Sequence, residues 1–266
     1  MARVITITSG KGGVGKTTTT ANLGTALAMR GHRVAVIDAD IGLRNLDVVM
    51  GLENRIVYDL VDVIEGRARL RQALIKDKRL PELCLLPAAQ TRDKDAVSPD
   101  QMVDLTNQLR ADFDFVLVDS PAGIEGGFRN AIVGADEVII VTTPEVSAVR
   151  DADRIVGLVE AAEKQTPRLI VNRLKPRLVN RGEMLSVDDV LELLAIDLIG
   201  IVPDDETIVT STNRGEAAVY DQSSLAGKAF LNIARRLNGE EVPFMALGDQ
   251  PGVLERFFGM FGRRRA

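Results

Sequence analysis

An α/β fold is predicted, with a mainly parallel central sheet covered by helices on both faces, and two features of the chain predict it. The first is a series of short, nearly continuous apolar runs, which is how strands buried on both faces read. The second is the set of segments between them, where apolar residues recur at helical spacing. Strands alternating with helices in this way build parallel sheets with helices on either side.

The runs fall in order along the chain. VITIT (4–8) opens it, and the helical stretch TTTTANLGTALAMRG follows. VAVID (34–38), LCLLP (83–87) and FVLVD (115–119) are the next strands, with the helical SPDQMVDLTNQLR just before the last of them. VIIVT (138–142) precedes SAVRDADRIVGLVEAAEK, and LIVN (169–172) and LIGIV (198–202) complete the set. No internal repeat or low-complexity segment interrupts this alternation, so residues 1–238 are expected to form a single domain. A stretch rich in Pro and Gly, 239–251, reads as a linker. It leads to a C-terminal segment, 252–266, of separate character.

Composition narrows the function. Charged residues are 27 % and hydrophobic residues 45 % of the 266, close to the globular average. No run of eighteen apolar residues is present to span a bilayer. The N-terminal MARVITITSG lacks the apolar core and cleavage site of a secretory signal, and neither end carries a lipidation box, so a cytoplasmic location is expected. One Cys, Cys84, and one His, His32, leave no disulfide within the chain, no multi-cysteine metal centre and no Ser-His-Asp site. The net charge of −5 argues against a broad nucleic-acid footprint.

The chemistry concentrates after the first strand. Gly10, Lys11, Gly12, Gly13, Val14, Gly15, Lys16 and Thr17 fit G-x-x-x-x-G-K-[ST] at every fixed position, between a strand and a helix. Glycines let backbone N–H groups curl round a phosphate, and the helix N-terminus adds positive potential. Lys16 is placed to reach the β- and γ-phosphates of a nucleotide, and Thr17, followed by Thr18, to ligate Mg²⁺. Acids end two further strands, at the edge where open parallel sheets bind ligands. Asp119 closes FVLVD as a Walker B-type acid, and Asp38 and Asp40 close VAVIDAD. Three acids beside a phosphate loop are explained by a metal and an attacking water. Asp40 is the choice for orienting that water, with Asp38 the alternative.

Lys11 is a second lysine that a phosphate loop does not require, and KGGVGKT is similar to the deviant Walker A motif. In that class two subunits sandwich two nucleotides, and the signature lysine contacts the partner's phosphates much as an arginine finger does. DADIGLRNLDVVMGLENRIVYDLVDVIEG (38–66) resembles the MinD family of division-site ATPases. So do VDSPAGIE (118–125), VRDADRIVG (149–157), RGEMLSVDDVLELL (181–194), GIVPDD (200–205) and NRGEAAV (213–219). The resemblance spans essentially the whole chain. It implies a P-loop NTPase whose switch I runs from Asp38 to Asp47 and whose switch II comprises Asp119, Pro121, Ala122 and Gly123. It also implies that Asn45 lies near the nucleotide at a dimer face, that Asn172 and Pro203 surround adenine, and that Asp151 and Asp153 help dock partner proteins. Partition ATPases of the ParA type and flagellar-number ATPases share the motif and are the alternatives. Nitrogenase iron proteins and iron–sulfur carriers need cysteines that this chain lacks.

The end of the chain, GVLERFFGMFGRRRA, holds three of the eight Phe. On a helix, Val253, Leu254, Phe257, Phe258, Met260 and Phe261 fill one arc of roughly 160°. Glu255, Arg256, Gly259 and Arg263 lie opposite, while Arg264 and Arg265 project over the apolar arc and can snorkel. Four Arg against one Glu and an aromatic face describe an interfacial helix favouring anionic lipid. MinD proteins carry such a tail at this place. The expectation is therefore a Mg-ATP-dependent homodimer on the cytoplasmic face of the inner membrane, with MinC-type inhibitor and MinE-type stimulator partners. Nucleic acid is not expected to bind.

Overall fold

The computed structural model describes residues 2–247 except Lys94, Asp95 and Glu125. In chain order the elements are β1 (Arg3–Thr8), α1 (Lys16–Ala28), β2 (Val34–Asp38), α2 (Leu46–Val49), α3 (Leu60–Ile64), α4 (Leu70–Ala73) and β3 (Ile75–Lys76). They continue with β4 (Leu83–Leu86), α5 (Pro99–Leu109), β5 (Phe115–Asp119), α6 (Gly126–Val133), β6 (Glu137–Thr142) and α7 (Val146–Ala161). The last are β7 (Arg168–Leu174), α8 (Pro176–Asn180), α9 (Val187–Leu194), β8 (Asp197–Pro203), α10 (Glu206–Asn213) and α11 (Leu225–Leu237). All seven expected strands are present. The eighth, β3, is a two-residue edge strand antiparallel to β4, too short to leave a pattern in the sequence.

The sheet order is β3-β4-β2-β5-β1-β6-β7-β8, and every pairing except β3 with β4 is parallel. Alternate residues of each strand feed opposite layers. Val4, Val116 and Val118 pack under α5, α6, α7 and α9, whereas Ile5, Ile7 and Leu117 pack under α1, α2 and α11. Helix α1 lies in a crowded layer and is buried over nearly its whole length, which explains its run of Thr, Ala and Gly in place of a charged outer face. Helix α5 is set by its own start signals: Ser98 and Gln101 form a reciprocal cap, with Pro99 in the first turn. The described residues form one layered body around the sheet. Helix α11 ends at Leu237, and Arg236 and Glu240 hold the segment that follows against the body.

Asp205 ties the starts of two helices together. One oxygen accepts from the Thr207 N–H and hydroxyl at 2.9 and 2.7 Å, and the other from the Ser224 hydroxyl and the Ala226 N–H at 2.8 and 3.0 Å. Burial alone would raise its pKa, but these four donors outweigh it and hold the carboxyl at about 2. Asp205→Ala should cost about 2 kcal/mol in urea unfolding at pH 7. The carboxylate's contribution is complete above the unfolded pKa near 3.9 and is lost as pH falls toward the folded value. The gap between wild type and variant should therefore close between pH ~4 and pH ~2.

Candidate functional site

The strand order reverses around β1, and the loop from Gly10 to Gly15 leaves the C-terminal end of that strand. Gly13 and Gly15 adopt left-handed φ of 79° and 97°, which aims successive N–H groups to one side. No side chain caps α1, whose N-cap is Gly15, so its first-turn donors are left for a ligand at the loop. Two neighbours press on the loop. A Cβ at Gly10 would sit 2.2 Å from the Asp151 carbonyl oxygen on α7, and one at Gly15 would sit 2.2 Å from the Asn172 Nδ2. That amide also donates to the Val14 carbonyl at 2.8 Å. Gly12 and Gly13 meet nothing on their open side.

Lys16 is buried and Thr17 and Thr18 are half-buried at the start of α1. Asp38 and Asp119 are register partners on adjacent strands, each 1 % exposed. Asp38 accepts from the Asp40 N–H at 3.0 Å through one oxygen. Its other oxygen accepts from the Asn45 and Leu46 N–H groups, both at 3.1 Å. Both oxygens of this acid, expected among the metal ligands, are thus bonded to the backbone of the segment it precedes. Burial first, then the neighbouring Asp119 charge, push its carboxyl up. Asp119 is also raised, chiefly by burial, while the Lys16 charge and the Thr17 and Thr20 hydroxyls pull the other way. The Thr20 hydroxyl donates to its Oδ1 at 3.1 Å, but Oδ2 is buried with no hydrogen-bond partner.

That orphaned oxygen, beside the Thr17 hydroxyl, fits a small hard cation. Mg²⁺ is held by one or two carboxylates, with water and phosphate oxygens in its other positions. Among the described residues no group of three His, Cys, Asp or Glu is placed to hold a metal by itself, so phosphate oxygens would have to complete such a site. Asp40 is half-buried at the mouth. It lines a small cavity with Ala39, Ile41, Pro121, Ala122 and Phe128, between the segments expected as switches I and II. Gly123 donates its N–H to the Ser9 carbonyl at 3.2 Å, tying the second segment to the loop.

Other expected residues lie further out. Lys11 is exposed, and its Nζ is 3.0 Å from the Ser147 Oγ at the start of α7. Asn45 is exposed at the start of α2. Pro203 ends β8 opposite Leu174, so it shares the loop's end of the sheet with Asn172. Asp151 is half-buried, with Arg154 3.7 Å away, and Asp153, two residues beyond the contact with Gly10, is exposed. Sequence reasoning missed Thr20 and Ser147. A run of threonines on a buried helix is a faint sign of the first, and nothing local marks the second. Val253, Leu254, Phe257, Phe258, Met260, Phe261, Arg263, Arg264 and Arg265 lie outside the described residues.

A phosphate-binding loop with two strand-end acids, on a doubly covered parallel sheet, defines a P-loop nucleotide-binding protein. The family model for the CobQ/CobB/MinD/ParA nucleotide binding domain matches residues 5–219. The septum site-determining protein MinD of Bacillus subtilis is 55 % identical over 99 % of this chain and 100 % of its own. The chain belongs to the MinD family. Among solved structures, a MinC:MinD cell division protein complex from Aquifex aeolicus is 51 % identical, with a TM-score of 0.87 over 93 % of this chain and 100 % of its own. The MinD of Pyrococcus horikoshii, solved with Mg-ADP, is 30 % identical, with a TM-score of 0.81 over 90 % of this chain and 96 % of its own.

Gly10→Ala should fold with lowered stability and lose nucleotide affinity, because the clash is with helix backbone that cannot swing aside. Overpacking of this kind costs about 1–3 kcal/mol. A titration with fluorescent nucleotide should show at least a tenfold weaker Kd, whereas Gly12→Ala, which meets open space, should bind more nearly like wild type.

Proposed function

We propose that this protein is a Mg-ATP-dependent dimerising ATPase. Through its C-terminal tail it binds the cytoplasmic face of the inner membrane reversibly, and it takes part in placing the division septum. The observation that carries the reading is the contrast between the loop's two lysines. Lys16 is buried beside Asp119, within its own site, whereas Lys11 is exposed on the rim at Ser147. A cation presented outward from a phosphate loop suits a partner's nucleotide.

The residues divide the work as follows. The N–H groups from Gly10 to Thr18, with Lys16, hold the phosphates, and Asn172 and Pro203 flank the adenine. Mg²⁺, held by Thr17 and by Asp119 through water, would neutralise charge on the phosphate oxygens. Asp38 fastens switch I through Asp40, Asn45 and Leu46, and so sets Asp40 to orient the attacking water. Positioning of that kind contributes about 10²–10⁴-fold to such reactions. Asn45 and Lys11 face the second subunit, and the exposed side of α7 with Asp151 and Asp153 receives a partner protein. The relative solved as a MinC:MinD complex supports an inhibitor of the MinC type as that partner, with a MinE-type protein stimulating hydrolysis.

The tail completes the cycle. Each large apolar side chain that enters the bilayer contributes about 1.5–3 kcal/mol at best. Ordering a helix near the ~12–15-residue limit opposes this. One tail then holds weakly, while two on a dimer gain roughly 10²–10⁴-fold in avidity. ATP-driven dimerisation becomes attachment, and hydrolysis becomes release.

Sedimentation with anionic vesicles tests the reading. Binding should be strong with a nonhydrolysable ATP analogue and weak with ADP, and deletion of 252–266 should abolish it with nucleotide affinity unchanged. Vesicle binding that survives the deletion, or binding to duplex DNA in its place, overturns the reading. Lys11→Ala should remain monomeric on sizing with the ATP analogue while still binding nucleotide; a normal dimer would refute the cross-subunit role of Lys11.

A further inference from the structure

The segment after α11 reads in the sequence as a free linker, yet its first half is fastened to the body. The Arg236 guanidinium donates to three backbone carbonyls, Val242 at 2.9 Å, Pro243 at 2.9 Å and Ile199 at 3.0 Å. Its Cζ lies 4.1 Å from the centre of the Phe244 ring, within cation–π range. Met245 packs against the core layer beneath α1 and α11. Glu240 pairs with both Arg235 and Arg30, and Arg3 donates to the Leu237 carbonyl. The planar guanidinium, with its fixed fork of donors, reaches two segments at once, which a lysine ammonium on a flexible stem does not reproduce.

The anchor has a definite place. Ile199 lies in the first half of β8, Arg3 opens β1, and Arg30 precedes β2. All three mark the N-terminal edge of the sheet, whereas the phosphate loop leaves the opposite edge. The span of a six-residue strand, about 20 Å, separates the two.

We propose that Arg236 is a positioning residue for membrane attachment, a clamp that fixes the root of the tail at the sheet edge opposite the nucleotide. This rests on the reading of 252–266 as a membrane tail. Counted along the chain, six residues, 246–251, separate the clamped segment from 252, and with the clamp open the count begins near Asn238. Effective concentration for the second insertion falls roughly as the −3/2 power of tether length, so opening the clamp lowers it about threefold. The clamp thereby shortens the reach of each tail and raises the effective concentration for the second insertion.

The experiment compares full-length wild type with Arg236→Ala, with Phe244→Ala, which spares the carbonyl bonds, and with wild type carrying an eight-residue Gly/Ser insertion after Leu247. Each is titrated with anionic vesicles in the ATP analogue, alongside sizing of the dimer and nucleotide titration. Arg236→Ala and the insertion should each raise the lipid concentration for half-binding about threefold, and Phe244→Ala by less, with dimerisation and nucleotide affinity unchanged. Unchanged vesicle binding in Arg236→Ala alongside a weakened insertion variant would overturn the clamp. So would a matching loss of dimerisation, which marks a purely structural role. Failure of wild type itself to bind vesicles refutes the membrane reading instead.

Discussion

Two carboxylates buried side by side are the constraint around which the nucleotide end of this protein is arranged. Asp38 and Asp119 close neighbouring strands in register, and both are shut away from water. Taking such groups out of solvent costs several kcal/mol each unless other charges and donors compensate. The compensation differs between them. Asp38 is satisfied by three backbone N–H groups of the segment that follows it, so the path of that segment depends on the acid. Asp119 has Thr20 on one oxygen and nothing on the other, with the Lys16 charge nearby. One acid therefore shapes the backbone while its neighbour retains capacity for a cation.

This arrangement carries a physical consequence for communication. Each acid raises the cost of the other's charge, so positive charge arriving near Asp119 also relieves Asp38. Asp38 in turn bonds the backbone of Asp40, Asn45 and Leu46, and a change at the phosphate end reaches that segment in one step. The same economy of distance holds on the other side of the loop. Gly10 lies against the carbonyl of Asp151, with no side chain of its own to hold the loop off α7. Coupling between two sites requires contacts that differ between states, and here the contacts that would differ are backbone to backbone, where small shifts are not absorbed by rotamers.

How much of this was legible in the sequence follows from the range of each interaction. The seven long strands were legible because burial on both faces leaves an apolar run, and β3 was not because two residues carry no period. The phosphate loop was legible because all its fixed residues are contiguous. The strand-end acids were legible as a group, but not the division of labour between Asp38 and Asp119, which depends on which oxygens the backbone reaches. Asn172 shows the same limit. The resemblance places it beside adenine, while the structure shows its amide bracing Val14, far away in the chain. Lys11 was conspicuous, but its contact with Ser147 needed the fold to bring α7 to the loop. Residues 239–251 read as a linker from their Pro and Gly, whereas the hold of Arg236 on the carbonyls of Val242 and Pro243 depends on side-chain geometry that composition does not carry.

The separation of the two edges of the sheet gives the last step. The phosphate loop sits at the C-terminal ends of the strands and the anchored segment after α11 at the N-terminal ends, with a close-packed core between them. A close-packed interior resists deformation, and carrying a signal across it takes an element with two discrete arrangements. On the proposed reading, control of a distant tail by nucleotide is then better exerted by joining two bodies than by deforming one. A weak tail suits that logic, because avidity discriminates sharply between monomer and dimer only when a single attachment is marginal. On that same reading, a stronger apolar face would hold a monomer on the membrane and erase the difference between one tail and two.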